Sequence, residues 1–373
     1  MSRLDELIKE LCPEGVEKKR IGDLCEIKRG RVMSKDYIAN NAGEYPVFSS
    51  QTENNGELGR ISTYDFEGEY LTWTTDGANA GTVFYRKGQF SVTNVCGLLN
   101  AKSEIILTKY LFYALSIEAP KYVSSGMGNP KLMSNVMARI KVPVPPLPVQ
   151  EEIVKTLDKF TDYVTELQAE LHLREIQYEE LAYRLLIEDV SGEKYKLSEI
   201  CDVVKGKTPI QKAVPGEYPL VVTKAERGSS DTYQFDAKAV CIPLISSRGH
   251  GVASLNHVYY QEGKFALGNI LCAVIPTALD IVSPKYLYYY FECTKDYTLV
   301  PLMKGGANVA MTVADVANVK VTIPNIKAQN EVITKLIALE EYVNEVLPAE
   351  IELRQKQYEY YRDKLLSFKE IEL

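Results

Sequence analysis

The side-chain combinations that carry enzymatic chemistry are incomplete in this sequence. Gly206, Lys207 and Thr208 form a GKT triplet, but Cys201 stands where a phosphate-binding loop needs its first glycine. No dinucleotide-binding glycine motif, no paired-histidine zinc motif and no serine nucleophile elbow occurs. The seven cysteines are scattered and none forms a CxxC pair, which favours reduced, buried thiols. We therefore expect no catalytic residue, no metal site and no cofactor.

Polar and basic loop residues instead offer the chemistry of a nucleic-acid reader. Arg, Lys, Asn, Gln, Ser and Thr hydrogen-bond to base edges and phosphates. In the first half of the chain the candidates are Lys28, Arg29, Arg31, Ser50, Gln51, Asn54, Thr74, Thr75, Asn79, Asn129 and Lys131. In the second half they are Lys205, Lys207, Thr208, Lys224, Arg227, Ser247, Arg248, His250, Lys304 and Asn308. For each position the alternative is an exposed polar side chain with no base contact.

The charge distribution permits a nucleic-acid partner despite a net charge of −7. The acidity is concentrated in residues 150–190, which sum to −7, and in residues 329–373, which sum to −4. Residues 21–149 sum to +1 and residues 191–328 to +3. A positive surface on these two long stretches is therefore allowed.

The elements that must position these loops occur twice along the chain. Cys25 and Cys201 open matching segments, and GEYP occurs at Gly43 and again at Gly216. Three longer matches follow in the same order: Tyr85, Gly88, Phe90 and Asn94 with Tyr260, Gly263, Phe265 and Asn269; KYLFY with KYLYY; and AELHLREIQYEELAYRLL with AEIELRQKQYEYYRDKLL. Each copy predicts an α+β globular part followed by a charged helix.

Both charged stretches have the apolar spacing of a coiled coil. The first begins after Pro145, Pro146 and Pro148, and its seam advances by four and three residues. In the second copy the seam includes Val343 and Val346, after which one extra residue beside Pro348 predicts a kink or break. The seam residues that we expect to join the helices or to face a partner are Leu157, Phe160, Leu167, Arg174, Tyr178, Leu336, Leu339, Arg354 and Tyr358.

Arg174 and Arg354 interrupt the apolar seam at equivalent positions, each four residues after a glutamate, Glu170 or Glu350. One interpretation is an ordinary pair within one helix, worth a few tenths of a kcal/mol. The other is a polar contact between the helices that sets their register.

Chain connectivity predicts where the globular parts lie. The first precedes the first helix and the second follows it, so they belong at opposite ends of that helix. If the two helices pack on their seams they run antiparallel, with pseudo-twofold symmetry. About 40 residues at 1.5 Å rise give a spacer of roughly 60 Å.

These features resemble the specificity subunit of Type I restriction-modification systems. The resemblance rests on the doubled layout, the helix entry PVPPLPVQEEI from Pro143, and the repeated LR-x-x-QYE at Leu173 and Leu353. It implies two α/β target-recognition domains that read a bipartite, asymmetric sequence in double-stranded DNA. It also implies two adenine-methyltransferase subunits as partners and, beyond them, restriction or translocase subunits. Ile326 and Lys327 depart from the family's helix entry, which puts the start of the second helix in doubt.

The resulting expectation is a non-catalytic protein of four segments. Residues 1–149 and 191–328 are the recognition domains, and residues 150–190 and 329–373 are the spacer helices. The N-terminus lacks the pattern of a secretion signal and no apolar run is long enough for a membrane span, so we expect a cytoplasmic location. The alternative is an assembly scaffold or decoy that does not bind DNA, which would lack salt-dependent, sequence-specific DNA affinity.

Overall fold

The computed structural model describes residues 3–124, 128–248 and 251–371 and contains two compact units. The first unit consists of Met1–Glu166 and Ile351–Leu373, and the second is Leu167–Glu350. Each unit therefore includes one globular part together with a piece of both long helices. In the portion of the chain described, no helix has both the length and the apolar character needed to cross a bilayer.

Among the described residues, the first globular part contains eight strands and five helices before the first long helix. The strands are β1 Lys18–Arg20, β2 Cys25–Arg29, β3 Ala42–Phe48, β4 Glu57–Ile61, β5 Phe66–Thr74, β6 Val83–Val92, β7 Cys96–Ala101 and β8 Lys141–Pro143. The helices are α1 Arg3–Leu11, α2 Ile21–Leu24, α3 Lys35–Asn40, α4 Thr108–Glu118 and α5 Ser134–Met137. The long helix α6 covers Leu147–Tyr183 and continues as a π-helical turn over Arg184–Glu188.

As far as the chain is described, the second globular part has ten strands and three helices. The strands are β9 Glu193–Lys196, β10 Cys201–Lys205, β11 Tyr218–Val221, β12 Gly228–Ser230, β13 Phe235–Asp236, β14 Ala239–Pro243, β15 Tyr259–Gln261, β16 Lys264–Leu267, β17 Leu271–Pro276 and β18 Lys320–Ile323. The helices are α7 Leu197–Ile200, α8 Pro284–Thr298 and α9 Val313–Ala317. The second long helix consists of α10 Ile326–Glu341, a π-helical turn Tyr342–Val346 and α11 Leu347–Leu365.

The sheets repeat the same pairing in both units. The first unit has strand order β2-β7-β5-β6-β3-β4, in which β3 and β6 are parallel and the other neighbours antiparallel. The second has β10-β17-β14-β15 and β12-β11-β16-β13, in which β11 and β16 are the parallel pair. The long strand β6 thus corresponds to β15 and β16, which are separated at Gly263 (φ 78°). The predicted α+β repeat is confirmed.

Several repeated residues have the same physical role in the two units. A Cβ on Gly43 would lie 2.4 Å from the Cα of Ser62, and one on Gly216 would lie 2.3 Å from the Cα of Asp231. Both glycines therefore allow a close approach of neighbouring backbone. Tyr110 and Tyr286, the first tyrosines of the repeated KYLFY and KYLYY, are both fully buried and belong to the core of their units.

A fully buried glutamine joins each long helix to its globular part. The Gln150 side-chain amide donates to the carbonyls of Ile105 (3.0 Å) and Pro145 (2.8 Å), and its oxygen accepts from the Leu107 amide (2.9 Å).

Gln329 repeats this network, donating to the carbonyls of Ile281 and Pro324 (2.7 Å each) and accepting from the Ser283 amide (2.8 Å). Because buried backbone groups are costly to leave unpaired, each glutamine fixes the first turn of its helix against the loop before α4 or α8.

The start of the second long helix is well defined. The Asn325 side chain accepts a hydrogen bond from the Ala328 amide (3.0 Å), so α10 has an N-terminal cap. Proline at the second position of α6, Pro148, is compatible with a first turn. The unusual residues Ile326 and Lys327 therefore leave the helix entry intact.

Within each unit the two helix pieces run antiparallel. In the first unit the Phe160 ring stacks on Tyr361 with centroids 5.2 Å apart, and the Arg354 guanidinium lies 5.2 Å from the ring of Tyr163. In the second unit Tyr342 donates to the Glu170 carboxylate (3.4 Å). Residues further along α6 contact residues earlier in the second helix, as the seam predicts for each unit.

Most seam residues are at least partly buried. Leu157, Leu167, Leu336 and Tyr358 are buried, and Phe160, Arg174, Tyr178, Leu339 and Arg354 are half-buried. Arg174 contacts Glu170 (3.4 Å) and Gln177 (2.8 Å) of its own helix. Arg354 also contacts its own helix through Gln357 (2.8 Å), and in addition reaches Tyr163 of α6.

The seam prediction is wrong at Val346, which is 49% exposed. The wider π-helical turn Tyr342–Val346 rotates the following residues, so Leu347 is buried in its place. The irregularity expected near Pro348 is this turn, and the helix continues through it.

The buried glutamines make the junctions sensitive to a change that preserves volume. Gln150→Met would leave two carbonyls and one amide without their buried partner, and we expect it to lower the free energy of unfolding by about 3 kcal/mol. Gln329→Met should have a similar effect. Chemical denaturation followed by circular dichroism measures this change. The exposed control Gln168→Met should change stability by less than about 0.5 kcal/mol, and equal effects of Gln150→Met and Gln168→Met would contradict the role of the buried network.

Candidate nucleic-acid interface

In the first unit, loops from distant parts of the chain meet beyond the ends of the sheet strands. We call residues 29–31, 49–56, 74–82 and 128–134 the first loop cluster. The hydroxyls of Ser50 and Thr75 both donate to the carbonyl of Val95, the latter at 2.7 Å. The Asn79 side chain donates to the Thr52 hydroxyl (2.8 Å), which ties two of the loops together.

Backbone pairing adds the last loop to this cluster. The Leu132 amide donates to the Thr75 carbonyl (2.9 Å), and the Gly77 amide donates to the Pro130 carbonyl (3.1 Å). The cluster therefore has a fixed internal geometry, which a surface that discriminates between base edges requires.

Most predicted binding residues of the first cluster reach its surface. The exposed residues are Lys28, Arg29, Arg31, Asn54, Asn79, Asn129 and Lys131, and the half-buried ones are Ser50 and Gln51. Thr74 and Thr75 are 0% and 2% exposed. Their hydroxyls donate to backbone carbonyls of Asn79 and Val95. These two threonines therefore shape the loop from inside and are withdrawn as candidates for DNA contact.

Three exposed cations in or next to this cluster have local partners. The Lys28 amine lies 2.9 Å from Glu26, and Arg31 lies 3.0 Å from Asp65. Arg29 donates to the Ser134 hydroxyl and to the Asn94 carbonyl, both at 3.2 Å. Since exposed pairs contribute little to stability, Lys28 and Arg31 can exchange a carboxylate for a phosphate, and Arg29 can exchange its neutral partners for one.

The second unit has a matching set of loops. We call residues 205–208, 222–227, 244–248, 267–271 and 304–311 the second loop cluster. The Ser246 amide donates to the Val309 carbonyl (2.9 Å), and the Asn269 amide donates to the Thr208 carbonyl (2.9 Å). Lys304 and Ala310 exchange a pair of backbone hydrogen bonds at 2.8 and 3.0 Å.

The predicted residues of the second unit differ in their exposure. Lys205, Lys207, Lys224, Ser247, Arg248, Lys304 and Asn308 are exposed, whereas Thr208 and Arg227 are half-buried. His250 lies outside the described residues. The Arg227 guanidinium donates to the Gln261 side chain and to the Tyr260 carbonyl, both at 3.2 Å. Arg227 therefore faces its own domain in this structure.

Sequence reasoning missed Arg86, which is 3% exposed in the middle of β6. It donates to the Thr72 hydroxyl (3.1 Å) and to the carbonyl of Asn55 in the first loop cluster (2.7 Å). Burial lowers the pKa of its guanidinium to about 10. The alternation of side chains along a strand was the available signal, because it places Phe84 and Arg86 on one face.

The described residues contain no group of side chains arranged to hold a metal ion. The cysteine thiols are also poor nucleophiles. Burial raises the pKa of Cys25, Cys96, Cys201 and Cys272 to about 12 and raises that of Cys241 further. At neutral pH these thiols stay protonated, so they offer neither a thiolate nucleophile nor a metal ligand.

The chain matches a family model described as the Type I restriction modification DNA specificity domain twice, over residues 13–176 and 190–353. A type I specificity subunit of Mycoplasma pneumoniae is 36% identical over 368 residues, which cover 94% of this chain and 97% of that protein. Another, the type I restriction enzyme MpnII specificity subunit, is 49% identical over 162 residues, or 42% of this chain and 49% of the relative.

Solved structures share the fold at low identity. The S subunit of a Type I restriction-modification system from M. genitalium has a TM-score of 0.56 at 16% identity, covering 94% of this chain and 96% of that one. The HsdS subunit from Thermoanaerobacter tengcongensis has a TM-score of 0.52 at 15% identity, covering 95% and 97%. A third structure, from work on complex assembly and conformational transition of the type I R-M system, has a TM-score of 0.59 at 15% identity, covering 95% and 98%.

The raised thiol pKa values predict slow modification of the folded protein. At pH 8 we expect Cys293, which is half-buried, to react with a disulfide reagent well before the six buried cysteines. Between pH 9 and pH 12 the unfolded chain ionises its thiols more readily than the folded one, so stability should decline as pH rises through this range. The absorbance of the released reagent follows thiol modification at pH 8. Titration of thiolate absorbance with and without denaturant compares thiol ionisation in the unfolded and folded chain. Rapid reaction of several thiols in the folded protein at pH 8 would contradict this assignment.

Proposed function

Because the chain belongs to the family of type I restriction-modification specificity subunits, we propose that it recognises a bipartite, asymmetric sequence in double-stranded DNA and directs modification subunits to it. Proteins of this family are non-catalytic targeting subunits, so the chain is itself a recognition subunit rather than an enzyme. The observation that carries the proposal is the duplicated specificity domain, in which one sheet plan bears two different loop clusters.

We assign the reading of one half-site to each loop cluster. A common framework with different loops presents a different set of donors and acceptors in each unit, so the half-sites differ in sequence. Residues 1–149 and 191–328 would form the target-recognition domains. Residues 150–190 and 329–373 would form the spacer helices that hold them apart.

The repeated helix sequences suggest two equivalent docking sites for partners. Leu173 and Leu353 occupy matching positions in the LR-x-x-QYE repeats and are 65% and 51% exposed. A large apolar side chain that is exposed on a helix favours a protein contact. We propose that one adenine-methyltransferase subunit docks at each repeat, that restriction or translocase subunits join this complex, and that it acts on cellular DNA in the cytoplasm.

DNA binding in complex with a methyltransferase subunit tests the proposal. Affinity for the target should fall by about a thousandfold between roughly 50 and 200 mM salt, because several phosphate contacts release counterions. At a fixed salt concentration, an excess of unrelated duplex should compete poorly. Native mass spectrometry should find two methyltransferase subunits for each chain. A salt-independent complex without sequence preference would instead support the scaffold alternative.

Single charge removals locate the interface. Lys304→Gln, in the second loop cluster, should weaken binding to all duplexes and reduce the salt slope by about one. Lys238→Gln is the matched control, because Lys238 is exposed just before β14, whose other end leads into the second loop cluster. An equal effect of both changes would place the phosphate contacts elsewhere.

A further inference from the structure

Both units contain a guanidinium packed against the same position of the sheet. Arg86 lies 4.5 Å from the ring of Phe84 and 3.6 Å from the ring of Phe48. Arg227 lies 5.1 Å from the ring of Tyr259. Phe84 and Tyr259 are equivalent, since each directly precedes a member of the repeated pair Tyr85 and Tyr260.

The two arginines belong to different elements, one to the strand and the other to a loop. Arg86 belongs to strand β6 and donates outward to the Asn55 carbonyl, in the loop after β3. Arg227 belongs to the loop after β11 and donates inward to Gln261 on strand β15. Gln261 occupies the position that corresponds to Arg86. In each unit, then, an arginine connects this strand to the loop that follows the third strand of the repeated sheet.

The residue that pairs with each ring across the sheet explains why the arginine comes from the strand in the first unit and from the loop in the second. Thr72 pairs with Phe84 across the sheet, and its buried hydroxyl accepts from Arg86 (3.1 Å). Cys241 pairs with Tyr259 at the matching place and is fully buried. A thiol is a weak acceptor, so a buried guanidinium based on β15 would lack this partner. The loop arginine makes the connection instead.

In the first unit the hydrogen bond from Arg86 holds a loop segment with an unusual backbone conformation. Asn54 and Asn55 both have left-handed conformations, with φ of 47° and 52°. Such residues persist where surrounding contacts fix them. The Arg86 hydrogen bond ends on Asn55 itself, and Gln51 in the same loop donates to the Glu57 carbonyl (2.5 Å). Asn54 remains exposed between these two attachments.

We propose that Arg86 and Arg227 are equivalent positioning residues, each of which fixes the conformation of one recognition loop and so determines the base preference of one half-site. The inference rests on the proposed function. Neither guanidinium has to touch DNA, because each acts through the loop that it holds.

The test measures discrimination at each half-site separately. The full chain with its methyltransferase partner is presented with duplexes in which every base pair of the target is varied in turn. Arg86→Met keeps apolar packing against the rings but removes the hydrogen-bond donors. It should reduce discrimination about tenfold at one or two base pairs of one half-site and leave the other unchanged. Arg227→Met should have the same effect on the opposite half-site.

A second readout follows the loops without DNA. Hydrogen exchange of the amides at residues 53–57 should accelerate at least about tenfold in Arg86→Met. Arg86→Lys should restore part of the protection, because an amine still donates to one carbonyl. Lys87→Met is the matched control, since Lys87 is exposed on the same strand and pairs with Glu69 at 3.0 Å. This control should leave both readouts unchanged.

Two results would overturn the inference: unchanged discrimination at both half-sites in folded Arg86→Met and Arg227→Met, or an equal loss at both half-sites from either change. If Arg86→Met does not fold, the half-buried Arg227 gives the same test in the second unit. If the unmodified chain shows no preference for a split target, the proposed function fails. Exchange at residues 53–57 would still decide whether Arg86 fixes the loop.

Discussion

The structure of each unit depends on one buried glutamine in the first turn of a long helix. The fully buried side chains of Gln150 and Gln329 each satisfy two carbonyls and one amide of the backbone. These bonds fix where the helix leaves the globular part. A tyrosine adds a second attachment in each unit, Tyr113 to Asp158 and Tyr289 to Glu340, both at 2.5 Å. A helix joined in this way carries its domain as a fixed attachment, which a spacer between two readers requires.

The duplicated chain separates a retained framework from variable loops. Lys109 lies 5.7 Å from the ring of Tyr85, and Lys285 lies 5.8 Å from that of Tyr260, so even a half-exposed contact recurs. The loops that leave this framework differ in length and composition. Their attachment differs too, because the connecting arginine comes from the strand in one unit and from the loop in the other. Divergence of the loops on a constant sheet is what the proposed reading of two unlike half-sites requires.

Patterns with a strong period could be predicted from the sequence, and contacts across the sheet could not. The repeat predicted that one α+β plan occurs twice, and chain connectivity together with the heptad spacing predicted antiparallel helices. Local polarity alone misplaced Thr74 and Thr75, because their hydroxyls find backbone partners inside the loop. The seam prediction failed at Val346 because a π-helical turn changes the helical register there. The roles of Arg86 and Arg227 depend on partners from other strands and loops, which no local pattern encodes.

The most direct measurement is a genome-wide map of methylated adenines in a host that lacks other adenine methylation and expresses this chain with its methyltransferase subunit. We expect a single motif made of two different half-sites separated by a gap of constant length and unspecified sequence. A continuous motif, two identical half-sites, or the same methylation pattern without this chain would contradict it.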